Sequence, residues 1–211
     1  MALLVLNPNT SVAVTERLLA AMPMPVRTAT ARFGAPYISD ERSFAIAGHA
    51  AIDAWEADAA AHGPADATLL ACFGDPGIEA LREVSGRPVI GLAEASLREA
   101  AAIGRFSIVT GGAAWRPILE RLVRGLGLAS ALVRIEIVAA TGAELAADPE
   151  GAVRVLTDAC RVAAVGAEAV VLGGAGLAGL AARIRPAADV LIVDSVSAGV
   201  DALARSGRVI A

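Results

Sequence analysis

The sequence contains no lysine, and all 18 of its basic side chains are arginine. A pyridoxal-phosphate enzyme needs a lysine for its Schiff base, and a Walker-type phosphate loop needs one to reach the phosphates. Both classes are therefore excluded. The two histidines, His49 and His62, belong to no Cys/His cluster with the spacing of metal ligands. We expect neither a metal site nor an organic cofactor.

Long apolar runs and basic stretches are also missing. Every apolar run is short and interrupted by Gly, Pro or a charged residue, and the first residues do not have the pattern of a signal peptide. A net charge of -4 leaves no basic stripe that could follow a phosphate backbone. With only Cys72 and Cys160, the chain has no disulfide framework. We therefore expect a cytoplasmic protein that binds neither membranes nor nucleic acid and that can form a homo-oligomer.

Aliphatic residues dominate what is present. Hydrophobic residues make up 56% of the chain and aromatic residues only 3%. Short runs of Val, Ile and Leu alternate with Ala-rich stretches at helical spacing, which is typical of parallel sheets covered by helices on both faces. The predicted strands are 2–6, 26–32, 67–72, 88–92, 105–110, 132–139, 168–173 and 189–193. The predicted helices are 11–22, 41–62, 76–85, 93–104, 113–125, 150–166, 175–185 and 195–205.

Several strand–turn–helix segments recur at a nearly constant distance along the chain. The segment at 3–11 has the same layout as the segment at 106–114, a shift of 103 residues. The segment from residue 66 matches the one from residue 168, a shift of 102 residues. Such a repeat indicates a duplicated supersecondary unit.

The repeat predicts an α/β fold of two similar four-stranded parallel halves. The first half comprises residues 1–95 together with a C-terminal helix around 200–211, and the second comprises residues 96–200. Ligands bind at the carboxyl ends of the strands in open parallel sheets. Two such halves would therefore enclose a cleft lined by matched turns.

Cys72 occupies one of those turns. It ends a predicted strand shortly before a helix that we expect to start at Pro76, with Asp75 as its N-cap. A helix N-terminus favours the thiolate and lowers the pKa of a nearby thiol, so we interpret Cys72 as an acid–base group. The alternative is a small buried hydrophobe, which is the role we expect for Cys160 within its helical pattern.

The other turns are rich in hydrogen-bonding groups. Asn7 and Asn9 are candidates to hold a carboxylate or an amide of a ligand, while Thr10 or Ser11 can instead cap the following helix. The segment 110–112 offers a hydroxyl and open backbone N–H groups, and the segment 173–176 offers further N–H groups to an anion. Together these turns predict a small anionic or amide-containing ligand. We expect the two tryptophans to pack in the core.

Four segments then identify a family. The sequences LLVLNPNTS at 3–11, FGAPYIS at 33–39, ACFGDPG at 71–77 and VVLGGAGLAGL at 170–180 resemble the signatures of the aspartate/glutamate/hydantoin racemase superfamily, above all its hydantoin and allantoin racemases. The resemblance implies two α/β halves related by a pseudo-twofold axis. It also implies racemisation without a cofactor, in which one cysteine from each half flanks the α-carbon of the substrate. The candidate site thus comprises Cys72 and Gly174 at the two cysteine positions of the family, with Asn7, Asn9, Thr10, Tyr37, Ile38, Phe73, Gly74, Thr110, Gly111, Ala175 and Gly176 as substrate-binding residues.

Gly174 is the departure from the family pattern. It stands where the second cysteine is expected, and shifting Cys72 by 102 residues also leads to Gly174. We therefore predict a cofactor-independent racemase of a hydantoin, allantoin or acidic amino acid that has a single cysteine thiol. The alternatives are a single-thiol decarboxylase or isomerase of the arylmalonate decarboxylase type, an inactive ligand-binding paralogue, or an engineered cysteine variant.

Overall fold

A computed structural model describes residues 2–185 and 190–209, without the side chains of 207–209. These residues form two four-stranded parallel sheets with helices packed against them. The strands are β1 (Leu3–Asn7), β2 (Arg27–Thr30), β3 (Ala67–Leu70), β4 (Val89–Gly91), β5 (Phe106–Gly111), β6 (Leu132–Val138), β7 (Ala169–Leu172) and β8 (Leu191–Asp194). The helices are α1 (Val12–Ala20), α2 (Glu41–His62), α3 (Ile78–Ser85), α4 (Leu92–Ile103), α5 (Trp115–Gly125), α6 (Gly142–Ala147), α7 (Pro149–Ala164), α8 (Ala181–Ile184) and α9 (Ser195–Val209).

The two sheets repeat one another in strand order and in register. The first has the order β2-β1-β3-β4 and the second the order β6-β5-β7-β8. Leu6 pairs with Leu70 in the first sheet, and Val109 pairs with Leu172 in the second. These positions are related by shifts of 103 and 102 residues, which are the shifts read from the sequence. The predicted fold of two similar four-stranded halves is thereby confirmed.

The central strands are buried because helices cover both faces of each sheet. Every residue of β1, β3, β5 and β7 is buried. This burial explains why their sequences are continuous apolar runs and do not alternate between apolar and polar residues. The carboxyl ends of these strands carry the turns that form the candidate site.

Two helices hold the halves together because each packs against the sheet of the other half. Leu97 and Ala100 of α4 join the core around β5 and β7. Val200 and Leu203 of α9 join the core around β1 and β3. The predicted division after residue 95 falls inside α4. Helix α9 starts five residues before the predicted C-terminal helix of 200–211. Residues 210 and 211 of that prediction lie outside the described part of the chain.

The segment from 140 to 185 differs from its prediction. Helix α6 was not predicted, although Thr141 and Glu144 form a capping box at its start. The continuous helix expected over 175–185 is wrong: a 3₁₀ turn at Ala175–Leu177 is followed by the short α8. Gly179, with a φ of +84°, interrupts the helix between them. The predicted strand 189–193 is found as β8, but its first residue lies outside the described part of the chain.

The predicted role of Asp75 as N-cap of α3 is also wrong. Helix α3 starts at Ile78, after Gly77 at the N-cap, and no side chain caps it. The Asp75 carboxylate instead accepts hydrogen bonds from the backbone N–H groups of Ala93 (3.0 Å) and Glu94 (2.7 Å), at the start of α4. This contact could not be predicted from local sequence, because Asp75 follows β3 and contacts α4 across the end of the neighbouring strand β4.

Gly91 makes that contact possible, because a side chain at this position would collide with the Asp75 carboxyl group. In the second half the equivalent position is Asp194, whose own carboxylate accepts from the N–H of Ser197 (2.8 Å) at the start of α9. A carboxylate thus caps the equivalent helix in each half but is supplied from a different position.

Candidate active site

One cavity of about 300 Å³ lies where the turns of the two halves meet. Residues after β1, β3, β5 and β7 all contribute to its wall, as expected for ligand sites in parallel sheets. The predicted site residues that line it are Asn9, Tyr37, Ile38, Cys72, Phe73, Thr110, Gly111, Gly174, Ala175 and Gly176. The predicted residues Asn7, Thr10 and Gly74 do not line it.

Cys72 lies two residues beyond the end of β3 and is 7% exposed. Its neighbours in the core include Ile38, Phe73 and Trp115, which form an apolar wall. Burial raises the pKa of the Cys72 thiol, and the nearby Asp75 carboxylate raises it further. The prediction of a lowered pKa is therefore wrong, because α3 starts only at Ile78, too far along the chain to stabilise a thiolate at Cys72.

Gly174 occupies the matching place in the second half, two residues beyond the end of β7. Its φ of +144° is a conformation that side-chain-bearing residues rarely adopt. Its N–H donates to the hydroxyl oxygen of Ser195 (3.2 Å). Cys72 and Gly174 therefore line the same cavity from equivalent positions, and only the first offers a side chain.

Asn7 organises a turn behind the cavity wall. Its side-chain NH₂ group donates to Asn9 Oδ1 (3.1 Å) and Thr15 Oγ1 (3.0 Å), and its oxygen accepts from the N–H of Asn9 (3.1 Å). The side chain is fully buried, so its hydrogen-bonding groups bind other groups of the protein and not a ligand.

Asn9 presents its amide to the cavity. Its side-chain oxygen accepts from Asn7 and from the N–H of Ser11 (2.9 Å). These bonds orient the side chain and leave its NH₂ group without an acceptor among the described residues. Asn9 is therefore a donor ready for an oxygen of a ligand.

The residues that follow have local roles. The N–H of Thr10 donates to the carbonyl of Ala35 (3.1 Å), which anchors the loop that carries Tyr37. Ser11 caps α1, as one of the two predicted choices, and its hydroxyl also lines the cavity.

Thr110 ties two strand ends together. Its hydroxyl donates to the carbonyl of Gly173 (2.8 Å), so its hydrogen is not available to an anionic ligand. Its oxygen atom can still accept a hydrogen bond from the cavity side. Gly111, the last residue of β5, contributes backbone to the wall.

Unused backbone donors flank both central turns. The N–H groups of Phe73, Gly74, Ala175 and Gly176 donate to no acceptor among the described residues. Gly74 itself lies behind the wall, where a side chain would collide with the Trp115 ring. The open N–H groups of Phe73, Ala175 and Gly176, which line the cavity, are suited to an oxygen that gains negative charge during a reaction.

Tyr37 reaches from the first half to the second. Its hydroxyl oxygen accepts a hydrogen bond from the N–H of Gly142 (2.8 Å), the first residue of α6. Burial raises the pKa of the phenol, the Gly142 N–H lowers it, and the nearby Cys72 raises it again. Tyr37 is therefore a protonated phenol on the cavity wall at neutral pH.

Arg17 carries the one permanent charge among the described residues that line the cavity. Its guanidinium donates to the carbonyl of Gly176 (3.2 Å), and no carboxylate of the described residues forms an ion pair with it. Four of its five N–H groups therefore have no described protein acceptor. A ligand anion would find its strongest partner here.

Within residues 2–185 and 190–209, no group of three His, Cys, Asp or Glu side chains is placed to hold a metal ion. In the same residues, no helix combines the length and the apolar character needed to cross a bilayer.

Comparison with known proteins identifies the family. A model of the Asp/Glu/hydantoin racemase family matches residues 3–203. The chain is 34% identical over 207 residues to a hydantoin racemase from Paenarthrobacter aurescens, covering 94% of this chain and 87% of that protein. The chain belongs to the Asp/Glu/hydantoin racemase family. The family relatives that it matches are isomerases of the racemase class.

Solved structures agree with the family fold. An allantoin racemase from Pseudomonas fluorescens superimposes with a TM-score of 0.90 at 28% identity, covering 99% of this chain and 92% of that one. An arylmalonate decarboxylase superimposes with a TM-score of 0.68 at 20% identity, covering 98% of this chain and 93% of that one. The second likeness concerns the fold alone.

Sequence reasoning missed several parts of this racemase-family site. Arg17 and Trp115 line the cavity, although the first was not considered and the second was expected only to pack. Helix α6 covers the cavity with Gly142, Ala143, Ala146 and Ala147. The capping box at Thr141 was the one signal that could have revealed this helix.

Proposed function

We propose that this protein racemises a small hydantoin-like or amino-acid-derived substrate without a cofactor, and that Cys72 transfers the proton at the α-carbon. One observation carries the proposal. The turns that bear Cys72 and Gly174 meet at a single cavity, at the carboxyl ends of the central strands of both sheets. The hydantoin and allantoin racemases among the relatives make the ring compounds the first substrates to test.

The cavity can hold the carbonyl group next to the reacting carbon. Removal of an α-proton places negative charge on that carbonyl oxygen, so the oxygen needs hydrogen-bond donors already in place. The Asn9 NH₂ group and the open N–H groups of Phe73 and Ala175 supply such donors from both halves. These donors would stabilise the negative charge that a metal ion or a lysine stabilises in other enzymes.

Arg17 would select substrates with a negative charge. It lines the cavity beside Gly176, where its guanidinium can hold a carboxylate on the substrate side chain. The apolar wall of Ile38 and Trp115 would cover the rest of the molecule. The substrate class that fits is therefore a compact ring or amino acid with an acidic substituent.

Two matched cysteine variants test the role of Cys72. In deuterium oxide, NMR follows the loss of the α-proton signal of L-5-methylhydantoin, allantoin and 5-carboxymethylhydantoin. Cys72→Ser should lower this exchange at least about a hundredfold, because an alcohol is far less acidic than a thiol. Cys160→Ala changes the other thiol, which is buried in α7, and should leave exchange unchanged. Equal exchange in the wild-type and Cys72→Ser proteins would refute the proposal.

A single-thiol decarboxylase is the second candidate, and the state of Cys72 favours it. The raised pKa leaves Cys72 as a protonated thiol that can deliver one proton to a carbanion left by loss of CO₂. Gly174 cannot provide a second thiol. Carbon dioxide release from 2-methyl-2-phenylmalonate, with no exchange of any hydantoin, would favour this function. Binding of these compounds without exchange or decarboxylation would indicate an inactive paralogue.

A further inference from the structure

We propose that Tyr37 is the second acid–base group of this site and that it serves the face of the α-carbon opposite Cys72. This inference rests on the proposed racemisation. Inversion needs a base on one face of the carbon and an acid on the other. Gly174 has no group that can exchange a proton, so another side chain must serve the second face.

The position of the phenol oxygen supports this role. Although Tyr37 belongs to the first half, its oxygen is 2.8 Å from the nitrogen of Gly142 in the second half. The carbonyl of Gly142 lies next to Gly176, so that a side chain at Gly176 would place its Cβ 3.4 Å from the Gly142 oxygen. Gly176 follows Gly174 by two residues. The phenol therefore contacts the part of the second half that packs beside the turn containing Gly174.

The hydrogen-bond pattern leaves the phenol proton available. The oxygen accepts a hydrogen bond from the Gly142 N–H at 2.8 Å. No acceptor for the hydroxyl hydrogen is found among the described residues. The Gly142 N–H that donates to the oxygen would stabilise the phenolate that forms when the proton leaves.

The other polar side chains of the cavity are less suited to this step. Arg17 does not lose its proton in proteins. The hydroxyl hydrogen of Thr110 is held by the Gly173 carbonyl. Ser11 is an aliphatic alcohol, much less acidic than a phenol. Among the described lining residues, Tyr37 remains the group with proton-transfer chemistry that can complement a thiol.

The proton balance of the step is complete. In one direction the Cys72 thiolate takes the α-proton, and the Tyr37 phenol gives its proton to the opposite face of the carbanion. The products are the inverted substrate, a thiol and a phenolate. In the other direction the phenolate takes the proton and the thiol returns one. No oxidant, metal or cofactor is needed.

The active form has lost one proton from the Cys72–Tyr37 pair. Burial raises the pKa of both groups, so this form is scarce at neutral pH and becomes more abundant as the pH rises. Asp75, once it has ionised, raises the pKa of the cysteine, and Glu144 raises the pKa of the tyrosine. The inversion rate should therefore rise with pH from neutral to alkaline solution.

Tyr37→Phe separates inversion from exchange. With L-5-methylhydantoin in deuterium oxide, polarimetry measures inversion and NMR measures α-deuterium incorporation on the same sample. The variant should lose inversion by about a hundredfold or more, while Cys72 still exchanges the α-proton of one enantiomer with retention. Inversion within about threefold of the wild type would overturn the role of Tyr37.

The sequence offers a second test, because Tyr37 is the only tyrosine of the chain. Growth on 3-fluorotyrosine therefore changes this residue alone and lowers the pKa of its phenol without removing the hydroxyl group. The pH profile of inversion should move to lower pH, together with the tyrosinate absorbance of the same protein. An unmoved activity profile beside a moved absorbance titration would overturn the inference, even if Tyr37→Phe fails to fold.

The outcomes distinguish this inference from the proposed function. A wild-type protein that neither exchanges nor inverts any of the hydantoins refutes the proposed racemisation and the role of Tyr37 with it. A wild-type protein that inverts its substrate, with a Tyr37→Phe variant that inverts equally well, refutes only the role of Tyr37.

Discussion

Gly174→Cys tests the vacant position in the second half, and its effect on stability can be worked out first. A cysteine there must adopt a φ of +144°, and its Cβ would lie 3.2 Å from Leu177 Cγ. Backbone strain of this kind destabilises a protein by about 1–3 kcal/mol. For a chain of this size that corresponds to a fall in Tm of about 2–12 °C.

Gly63→Cys is the matched control for that measurement. Gly63 also has a positive φ, of +78°, but a Cβ there has no neighbour within 4 Å. Urea unfolding of both variants separates backbone strain, which they share, from the contact with Leu177. An unchanged free energy of unfolding in Gly174→Cys would show that the backbone at this position is not strained.

The effect on activity is best measured in the Tyr37→Phe protein. An added acid on the second face contributes about 10²–10⁴-fold, whereas misplacement by about 1 Å removes about 10²-fold. Gly174→Cys should therefore restore inversion by up to about a hundredfold in the protein that lacks the phenol. A folded double variant that binds substrate, exchanges one face and never inverts it would show that Gly174 is not the vacant acid–base position.

Further predictions concern charge. Arg17→Gln should raise KM about tenfold or more for 5-carboxymethylhydantoin and leave KM for neutral 5-methylhydantoin nearly unchanged. Only the first substrate carries a carboxylate that can pair with the guanidinium. An equal change in KM for both substrates would contradict the assignment. Burial raises the pKa of Asp75 to about 7. The folded protein favours the protonated carboxyl group. The contribution of Asp75 to the free energy of unfolding is therefore fully present below about pH 4 and is lost as the pH rises through about 7, a change of about 2–4 kcal/mol. Asp75→Asn should flatten this dependence in urea unfolding between pH 4 and 8, and an equally steep dependence in the variant would contradict it.

The repeated strands could be predicted because burial on both faces makes each one a continuous apolar run. Helix α2 was predicted with both of its ends, since Asp40 caps its start and Gly63 follows its last residue. The cavity residues after the strands could be placed because parallel strands carry ligands at their carboxyl ends. These features are all encoded within a few residues of one another.

Features that depend on distant contacts were not accessible in this way. The pKa of Cys72 depends on the side chains that bury it, and these come from several parts of the chain. The Asp75 carboxylate caps a helix 18 residues further along. Arg17 shows its role only after α1 is placed against the Gly176 turn of the other half. Local patterns contain none of these relations.

The most direct test of the account is the isotope content of the first product. Wild-type protein is incubated with L-5-methylhydantoin in deuterium oxide. The first few per cent of D-enantiomer are isolated by chiral chromatography, and mass spectrometry measures their deuterium content. Transfer between two groups on opposite faces predicts one deuterium at the α-carbon of nearly every D-molecule, a protiated pool of remaining L-substrate, and no D-product from Cys72→Ser. D-product formed at the wild-type rate by Cys72→Ser would contradict the account.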